Sequence, residues 1–424
     1  MQNAIALMFS TGGSAVIGIV FWGVATHLTS ATSVGRTTAE IAAMVLLANL
    51  AQLSFGSIFE RFLPVAGPLT RSFVIRAYAM VVAFGFILVV AYVAFGLGDN
   101  FLPASITWKA LFVVAVTLWT IFALQDSVLI GLRASRWVAV ENVSFGLAKL
   151  ALLPACIVFS SSEGIFLAWT APVIATIIVV TWYLFQRRIP EHMARGGVSE
   201  SLPSTRELIV LAGAQYATML STVFMPSVTT LIVIHRLGAV ANAHYFLPAM
   251  IATGLGLFCF SVVRSFLVEA SHEPEALRHH ANSAIRALIV VVVPSVVFGC
   301  IFAPQYLRLF GNAYATQGTT LMRLLLLSLP GSTVMIFYST FAWLDKRVWW
   351  LTLRSLVGSV TQLVLIVLLI GHIGIDAIGI ATLINSLITI ILFLPKSIRR
   401  YRLTGANVVT RPPDSPSAPD GRSP

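Results

Sequence analysis

The chain has 424 residues, of which 58% are apolar and 10% are charged, and its mean hydropathy is +0.90. An ordinary soluble domain is roughly 45–50% apolar and about 25% charged, so this composition excludes a soluble globular protein. The net charge of +11 is spread over short connectors between apolar blocks, which argues against a continuous surface for nucleic acid. The sequence therefore predicts a multi-span membrane protein.

Apolar windows of about 20 residues, the length of a membrane-spanning helix, recur along almost the whole chain. The first window has no basic segment before it and no clear cleavage site after it, so we expect it to be retained as a span. The windows predict an all-α, polytopic membrane protein of about twelve transmembrane helices, near 6–27, 39–63, 72–96, 107–131, 138–159, 163–185, 207–232, 242–268, 285–303, 318–342, 349–371 and 374–395.

The positions of the 27 Lys and Arg residues predict the orientation, because basic residues accumulate on the cytoplasmic side of a membrane. The even-numbered connectors, the helix ends beside them and the C-terminal tail hold 21 of these residues, Arg354 among them. The opposite side holds 5, and Lys149 lies inside a span. We therefore expect both termini in the cytoplasm and the protein in the inner (plasma) membrane.

The longest polar connector follows the sixth predicted helix and divides the chain into two six-helix lobes, 1–185 and 207–395, joined by a cytoplasmic linker at 186–206. A lobe with an even number of spans keeps its orientation when it is repeated, which predicts a pseudo-two-fold relation. Weak similarity between SIFERFLPVA and SVVRSFLVEA agrees with such a repeat. Residues 396–424 form a basic, Pro- and Ser-rich cytoplasmic tail that we expect to be disordered.

The motifs that the chain lacks narrow its activity. Neither a GxxxxGK[ST] phosphate-binding loop nor an HExxH zinc motif occurs. The cysteines Cys156, Cys259 and Cys300 lie singly in apolar blocks, without the spacing of metal ligands. The predicted outer connectors are too short and too poor in acids for a glycosyltransferase. We therefore predict transport, with no enzymatic activity, metal or cofactor.

Lys149 is the most informative single residue, because it lies about 16 Å inside the predicted fifth helix, in a hydrocarbon core about 30 Å thick. A charge there costs at least ~2.5–3.5 kcal/mol unless it meets water or a partner. Glu141 lies two helical turns earlier on the same face, and Phe145 lies between them. We interpret this face as the lining of an aqueous cavity; the alternative is a structural pair with an acid on a neighbouring helix.

Other charged residues lie in or near the predicted spans. Arg61 is near the cytoplasmic end of helix 2 and Arg264 occupies the related position on helix 8, where a long side chain either lines a cavity or extends to the headgroups. Asp126 lies about 7 Å inside helix 4 and is either a counter-ion to Lys149 or a proton or sodium site. The predicted site comprises three substrate-binding cations, Arg61, Lys149 and Arg264, and three ion-coupling or counter-ion acids, Glu60, Asp126 and Glu141.

Several stretches resemble the multidrug/oligosaccharidyl-lipid/polysaccharide (MOP) exporter superfamily, in its polysaccharide-biosynthesis, O-antigen flippase-like branch. The segment LSFGSIFERFLP, residues 53–64, is similar to the family's end of helix 2. FALQDSVLIGLRASRWVAVENVSFGLAKL, residues 122–150, resembles its helix 4 to helix 5 hairpin. LRLFGNAYATQGTTLMRLLLLSLP resembles the Gly-x-x-Tyr connector into helix 10, and IGIDAIGIATLI resembles the entry to the last helix pair.

The resemblance implies two six-helix lobes around a central cavity that opens alternately to each side of the membrane. It also implies that basic residues receive the anionic headgroup of a polyprenyl-pyrophosphate-linked saccharide. Arg61 is carried over from the family's motif, and Lys149 and Arg264 fit by position and charge. Helix 1 has no charge, unlike helix 1 of the lipid II branch, so lipid II itself is not the expected substrate. The expected partners are the lipid-linked saccharide, membrane lipids and polysaccharide assembly enzymes.

Three alternatives remain open. A drug or cation antiporter of the same superfamily needs unpaired acids deep in the cavity, and the acids here are few and lie near basic residues. A major-facilitator carrier would continue Glu60 and Arg61 with Gly-Arg-Arg, where this chain has FLPVAG. A membrane scaffold without transport is a different class, in which neutralising Lys149 changes stability without affecting any lipid.

Overall fold

The computed structural model describes the backbone of residues 2–160, 162–194, 213, 216, 224–272, 277–344 and 348–409. Within these ranges, side chains are not described at 2–12, 14, 258–272, 277–285, 287, 288, 291, 337, 339–344, 348–352 and 396–409. The described residues are helical, with short connecting turns and no strand among them. Eight helical segments within this part of the chain are long and apolar enough to cross a membrane. The chain is thus a multi-pass membrane protein, and the part of it that the structure describes is helical.

The first half of the chain folds into eight α-helices, and short 3-10 turns at Leu63–Val65 and Gly67–Leu69 separate the third from the fourth. A single π turn, Leu184–Arg188, joins the last two. The helices are α1 Gln2–Leu28, α2 Ala31–Ala51, α3 Phe55–Phe62, α4 Thr70–Ala94, α5 Ile106–Gly131, α6 Ser135–Phe159, α7 Gly164–Tyr183 and α8 Ile189–Ala194.

The continuously described part of the second half begins at Phe224. Most of its helices are long. The turn between its last two helices is made by Gly374, whose φ of 61° is a conformation that favours glycine. The separate helices predicted at 349–371 and 374–395 are therefore confirmed. The helices are α9 Phe224–Leu237, α10 Ala239–His272, α11 Leu277–Arg308, α12 Asn312–Leu344, α13 Val348–Ile373 and α14 Asp376–Val409.

The second predicted helix, 39–63, is wrong at its start and in its continuity. The helix begins at Ala31, where the Ser30 hydroxyl caps it by accepting a hydrogen bond of 3.2 Å from the Ser33 amide. It then breaks after Ala51, because Leu53 and Ser54 have φ values of 47° and 63°. Neither residue is a glycine, so the break is a strained feature of the backbone.

Helix also extends into two regions that the sequence assigns to polar connectors. The predicted linker at 186–206 begins with the π turn and α8, and the remainder of it lies outside the described residues. Arg188 holds this segment by donating from Nη2 to the Leu132 carbonyl at 3.1 Å and pairing with Glu191 at 3.0 Å. The predicted tail, 396–424, is helical as far as Val409, and 410–424 lie outside the description.

Helix α2 connects the two halves of the chain, because it contacts both α9 and α10. Gly35 lies so close to α10 that a Cβ there would overlap the Ala239 carbonyl. Asn242, fully buried on α10, donates from Nδ2 to the Gly35 carbonyl at 2.8 Å and to Thr38 Oγ1 at 3.0 Å. A hydrophobic core that includes Trp22 and Phe310 lies next to this contact. The halves are therefore interlocked at the end of the molecule where α1 turns into α2.

Replacing Gly35 with alanine should destabilise this interlocked end, because the methyl group overlaps backbone atoms that no side-chain rotation can move. Overpacking of this kind costs about 1–3 kcal/mol. We expect a lower midpoint of thermal unfolding in detergent for Gly35→Ala. The matched control is Gly18→Ala on α1, where nothing lies within 4 Å and the midpoint should not fall. Equal midpoints for the two variants would contradict the close approach.

Candidate functional site

One face of α6 carries the charged residues that the sequence singles out. Glu141, Phe145 and Lys149 are spaced at four-residue intervals, and only 3%, 6% and 7% of their surfaces are exposed. Because residues four apart lie on the same side of a helix, all three point into the protein. The shared face predicted from the spacing is confirmed. Helix α1 packs along α6, and Ile17 lies against Gly146.

Lys149 is surrounded by aromatic rings. Its Nζ lies 3.5 Å from the centre of the Trp169 ring, 5.1 Å from that of Phe145 and 5.2 Å from that of Phe21. The ring faces carry partial negative charge, and such a contact is worth about 2 kcal/mol or more once water is removed. The aromatic cage formed by Phe21, Phe145 and Trp169 therefore holds this cation within the membrane without a carboxylate among the described residues.

The aromatic cage is part of a larger group of packed rings. Trp119 contacts both Phe145 at 5.8 Å and Trp169 at 6.3 Å between ring centres. On the other side, Trp22 lies 6.0 Å from Trp169 and 4.8 Å from Phe246 of α10. Edge-to-face and offset ring pairs of this kind are attractive beyond the area they bury. Packed rings thus run from the cage of Lys149 to the contact between the two halves.

Asp126 forms no ion pair with Lys149 among the described residues, although the first of its two predicted roles was that of a counter-ion to Lys149. Its carboxylate accepts hydrogen bonds of 3.4 and 3.3 Å from Nδ2 of Asn142. Helices α5 and α6 are consecutive and pack antiparallel to each other. Residues after Asn142 on α6 therefore lie beside residues before Asp126 on α5. Trp119 accordingly lies level with the cage of Lys149, two turns away from Asp126.

Glu141 is the least compensated charged group of this face. Both carboxylate oxygens are buried and accept no hydrogen bond from the described residues. No cation within the described chain forms an ion pair with it; the ion pairs found there join Lys109 to Asp99 and Arg188 to Glu191. Glu141 and Asp126 interact electrostatically with each other. The structure thus places the two acids together and leaves one without a donor.

Two of the remaining predicted site residues, Glu60 and Arg61, show no contact with Lys149. Glu60 and Arg61 are exposed on the short helix α3, where the Arg61 guanidinium lies 5.5 Å from the centre of the Phe62 ring. Arg264 belongs to α10, and its side chain lies outside the described residues. Convergence of Arg61, Lys149 and Arg264 therefore stays a prediction, and the structure shows no contact between the first two in the part it describes.

Arg354 is a charged residue that the sequence analysis assigned to a cytoplasmic helix end. On α13 its Nη2 donates to Thr389 Oγ1 at 2.7 Å and to Asn385 Oδ1 at 3.4 Å, both on α14. Its guanidinium also lies 5.6 Å from the ring centre of Phe393. These partners are neutral, so the positive charge of Arg354 has no acid against it among the described residues.

The network around Arg354 has a signal in the sequence. Arg354, Gly358 and Gln362 follow one another at four-residue spacing on α13. A Cβ at Gly358 would overlap Nη1 of Arg354, so the glycine makes room for the guanidinium. Gln362 extends the polar stripe by donating to Thr382 Oγ1 at 2.8 Å. A polar stripe at this spacing in an apolar helix indicates a polar neighbour rather than a headgroup contact.

Glu40 is a second residue that the sequence analysis missed. It is buried, with 4% of its surface exposed, and lies about 13 Å from the start of α2. The predicted start at residue 39 had placed it at a helix end, where an acid needs no explanation. Its true depth makes Glu40 another intramembrane acid, one turn after the exposed Arg36.

The fold is that of known transporters. The lipid II flippase MurJ in an inward closed conformation is similar with a TM-score of 0.66 and 15% identity, over 96% of this chain and 90% of that chain. An outward-facing multidrug resistance MATE family transporter of the MOP superfamily is similar with a TM-score of 0.58 and 16% identity, over 95% and 96%. A MOP superfamily transporter from Pyrococcus furiosus Vc1 (DSM3638), described by the reverse polarity of its binding pocket, is similar with a TM-score of 0.55 and 16% identity, over 95% and 96%.

The class defined by these observations is a multi-pass helical membrane protein with the fold of MOP superfamily transporters. This likeness is one of fold, and it agrees with the superfamily that the sequence resembles. No family model and no curated protein matches the sequence. Because a flippase and multidrug transporters share this fold, the fold leaves both functional hypotheses open.

Lys149→Met should be at least as stable as the wild type. The substitution removes a buried charge and keeps most of the volume, and no described acid loses its partner. The control is Lys109→Met, which breaks the 2.7 Å ion pair with Asp99 near the surface and should cost ~0–1 kcal/mol. Thermal unfolding in detergent measures both. A clear fall for Lys149→Met alone would mean that the caged cation is a structural element.

Arg354 and Gly358 should behave as one unit. Arg354→Leu leaves the Asn385 and Thr389 oxygens without their donor, which costs about 1–3 kcal/mol. Gly358→Ala displaces the guanidinium and should destabilise in the same direction. In the double variant the alanine occupies vacated space, so its added cost should vanish. Additive losses of thermal stability across this cycle would refute the shared site.

Proposed function

We propose that the protein is a flippase or exporter that moves a polyprenyl-pyrophosphate-linked saccharide from the inner to the outer leaflet of the inner (plasma) membrane. The observation that carries this proposal is a cation in each half of the chain, the buried Lys149 and the partly buried Arg354, with no acid against either among the described residues. An intramembrane cation held only by rings and neutral oxygens is available to an anion, and a pyrophosphate headgroup is such an anion.

A protein is needed for this movement because of the chemistry of the saccharide. Each sugar hydroxyl left unpaired in hydrocarbon costs several kcal/mol, so the lipid does not cross unaided at a useful rate. Outward movement of the negative pyrophosphate from a negative interior is favoured by about 2.3 kcal/mol per charge per 100 mV. Export can therefore proceed without nucleotide hydrolysis. Enzymes that assemble the polysaccharide are proposed partners on either side of the membrane.

Alternating access between two six-helix lobes, 1–185 and 207–395, is the proposed mechanism. With both termini in the cytoplasm, the turn between α1 and α2 lies at the outer surface. The contact of Gly35 with Ala239 and the hydrogen bonds of Asn242 then form the outer seal. In this proposal the structure is a state closed to the outside, and export requires α2 and α10 to separate.

A multidrug or cation antiporter of the same superfamily is the second candidate, and one finding favours it. The sequence analysis placed the acids near basic residues, but Glu141 has no basic partner within the described residues. Glu40 is a further buried acid. Unpaired intramembrane acids are what a cation site requires. The third candidate, a non-transporting scaffold, requires that the caged cation serves stability alone.

Native mass spectrometry of the gently solubilised protein distinguishes these candidates. Wild-type protein should retain a polyprenyl-pyrophosphate saccharide, and folded Lys149→Met should lose it, because the headgroup loses its positive contact. Lys109→Met is the control with the same substitution outside the site, and it should retain the lipid.

Two results would replace the proposed function. Binding of cationic amphiphiles by the wild type, with no retained glycolipid, would favour the antiporter. Absence of both ligands from the wild type, combined with a loss of stability in Lys149→Met, would favour the scaffold.

A further inference from the structure

A polar cavity of about 460 Å³ lies at the end of the molecule where α1 turns into α2. Cavities that bind small molecules have volumes of about 300–1,000 Å³, so this one is large enough for a ligand. Its wall has one apolar side chain and is otherwise composed of hydroxyl groups and an imidazole. The lining residues are His27, Leu28, Thr29, Ser30, Ser33 and Ser162.

Three neighbouring segments of the chain form this wall. The turn between α1 and α2 supplies Thr29 and Ser30, and the first turn of α2 supplies Ser33. Ser162 lies in the connector between α6 and α7, where its hydroxyl donates a hydrogen bond to the Glu163 carboxylate. All of these residues belong to the first half of the chain. The cavity therefore does not depend on the contact between α2 and α10.

The wall presents mainly hydrogen-bond acceptors to a ligand. Nδ1 of His27 donates to a backbone carbonyl of α1 at 2.8 Å, which leaves Nε2 of the neutral ring as an acceptor. The Thr29 hydroxyl also donates to a carbonyl of α1 at 2.8 Å, and its oxygen can still accept. Ser30 and Ser33 share one hydrogen bond of 3.2 Å, so one of their two hydroxyl hydrogens can be given to a ligand.

The charges beside the cavity favour a neutral ligand. The Glu163 carboxylate is bound to Ser162, and Arg36 is exposed one turn after Ser33 on α2, so one acid and one base balance each other. No group of three His, Cys, Asp or Glu residues suited to a metal ion occurs in the described part of the chain.

A saccharide meets these conditions. Its hydroxyl groups donate to acceptors of the kind that this wall provides, and each of them also accepts a hydrogen bond. The side chain of Leu28 is 49% exposed and offers an apolar contact to the C–H face of a sugar ring. A phosphate, by contrast, would lie close to the carboxylate of Glu163, which repels it.

We propose that this cavity is a saccharide-binding site on the predicted outer surface, which holds the sugar of the exported lipid after it has crossed the membrane. Ser33 and Gly35 are two positions apart on α2 and so lie on roughly opposite faces of the helix. The cavity is thus beside the contact of Gly35 with Ala239, and a sugar can occupy it while that contact is closed. Binding there opposes return of the lipid.

The identity of the sugar and the outer position of the cavity rest on the proposed function. Binding of a lipid-free saccharide does not, because it depends only on the hydroxyl and imidazole groups of the wall. The cavity is also separate from the cation site, since none of its lining residues belongs to the aromatic cage of Lys149.

The test is native mass spectrometry of the purified full-length protein in a detergent that has no sugar headgroup. The probe is the mixture of water-soluble oligosaccharides that mild acid releases from the polyprenyl-pyrophosphate lipids of the cells that make the protein. Wild-type protein should bind an oligosaccharide from this mixture. Ser162→Phe should lose it, because the ring fills the cavity, and Thr29→Val should bind it more weakly, because an acceptor is removed at similar volume.

Ser105→Phe is the matched control. Ser105 is exposed just before α5, on the same predicted side of the membrane, and it does not line the cavity. This variant should bind the oligosaccharide as the wild type does. Thermal unfolding in detergent checks that each variant is folded, and Thr29→Val carries the test if the phenylalanine at position 162 prevents folding.

Two outcomes would overturn the proposal. A folded wild type that binds none of the released oligosaccharides shows that the cavity is not a saccharide site. Binding that persists at full strength in the folded variants of Ser162 and Thr29 shows that the saccharide is held elsewhere. Retention of the intact lipid, and its loss in Lys149→Met, is measured separately. Failure of this cavity and failure of the proposed function are therefore distinct results.

Discussion

Inside a membrane a charge without a partner is costly, and the arrangement of this protein depends on how each such charge is handled. Aromatic rings surround Lys149, whereas Arg354 is held by neutral oxygens and by space that Gly358 leaves free. An amide donates to Asp126, and no group in the described part of the chain donates to Glu141. These arrangements differ in how easily a ligand can replace the partners of the charge. Rings and hydroxyls compete weakly with an incoming anion, which is why both cations are suited to a ligand.

The cage of Lys149 is linked to the contact between the two halves by rings in direct contact. Trp169 touches Trp22, and Trp22 touches Phe246 of α10. If α10 moves away from α1, the contact of Phe246 is lost and the rings that enclose the cation can repack. A change at the contact between the halves would therefore alter the surroundings of the buried charge of Lys149. Helix α2 adds a rigid connection beside it, because Asn242 binds two of its polar atoms.

Much of this fold follows from local patterns. Hydropathy locates most of the helices because a span must be apolar over about 20 residues, and four-residue spacing identifies the buried face with Glu141 and Lys149. The motifs resemble those of the superfamily whose fold the structure shares. The ring partners of Lys149 do not follow, since Phe21 and Trp169 lie on α1 and α7 and come together only through tertiary packing.

The errors have physical causes as well. A charge near a helix end suggests a headgroup contact, which hid the network of Arg354. The break at Leu53 and Ser54 contains neither glycine nor proline, so no residue type there signals a helix end. The start of α2 was obscured by polar residues in its first turns, and with it the depth of Glu40.

The break after α2 makes the two ends of the contact between the halves unequal. A broken helix leaves carbonyl groups without their usual amide donors, and Leu50, just before the break, accepts a long hydrogen bond of 3.4 Å from the Tyr216 hydroxyl of the other half. Water replaces such a bond readily, whereas the seam at Gly35 must be opened through tightly packed backbone. In the proposed alternating access, the end near Leu50 would therefore separate more easily than the end at Gly35. The molecule would then spend longer in the state that is closed at Gly35.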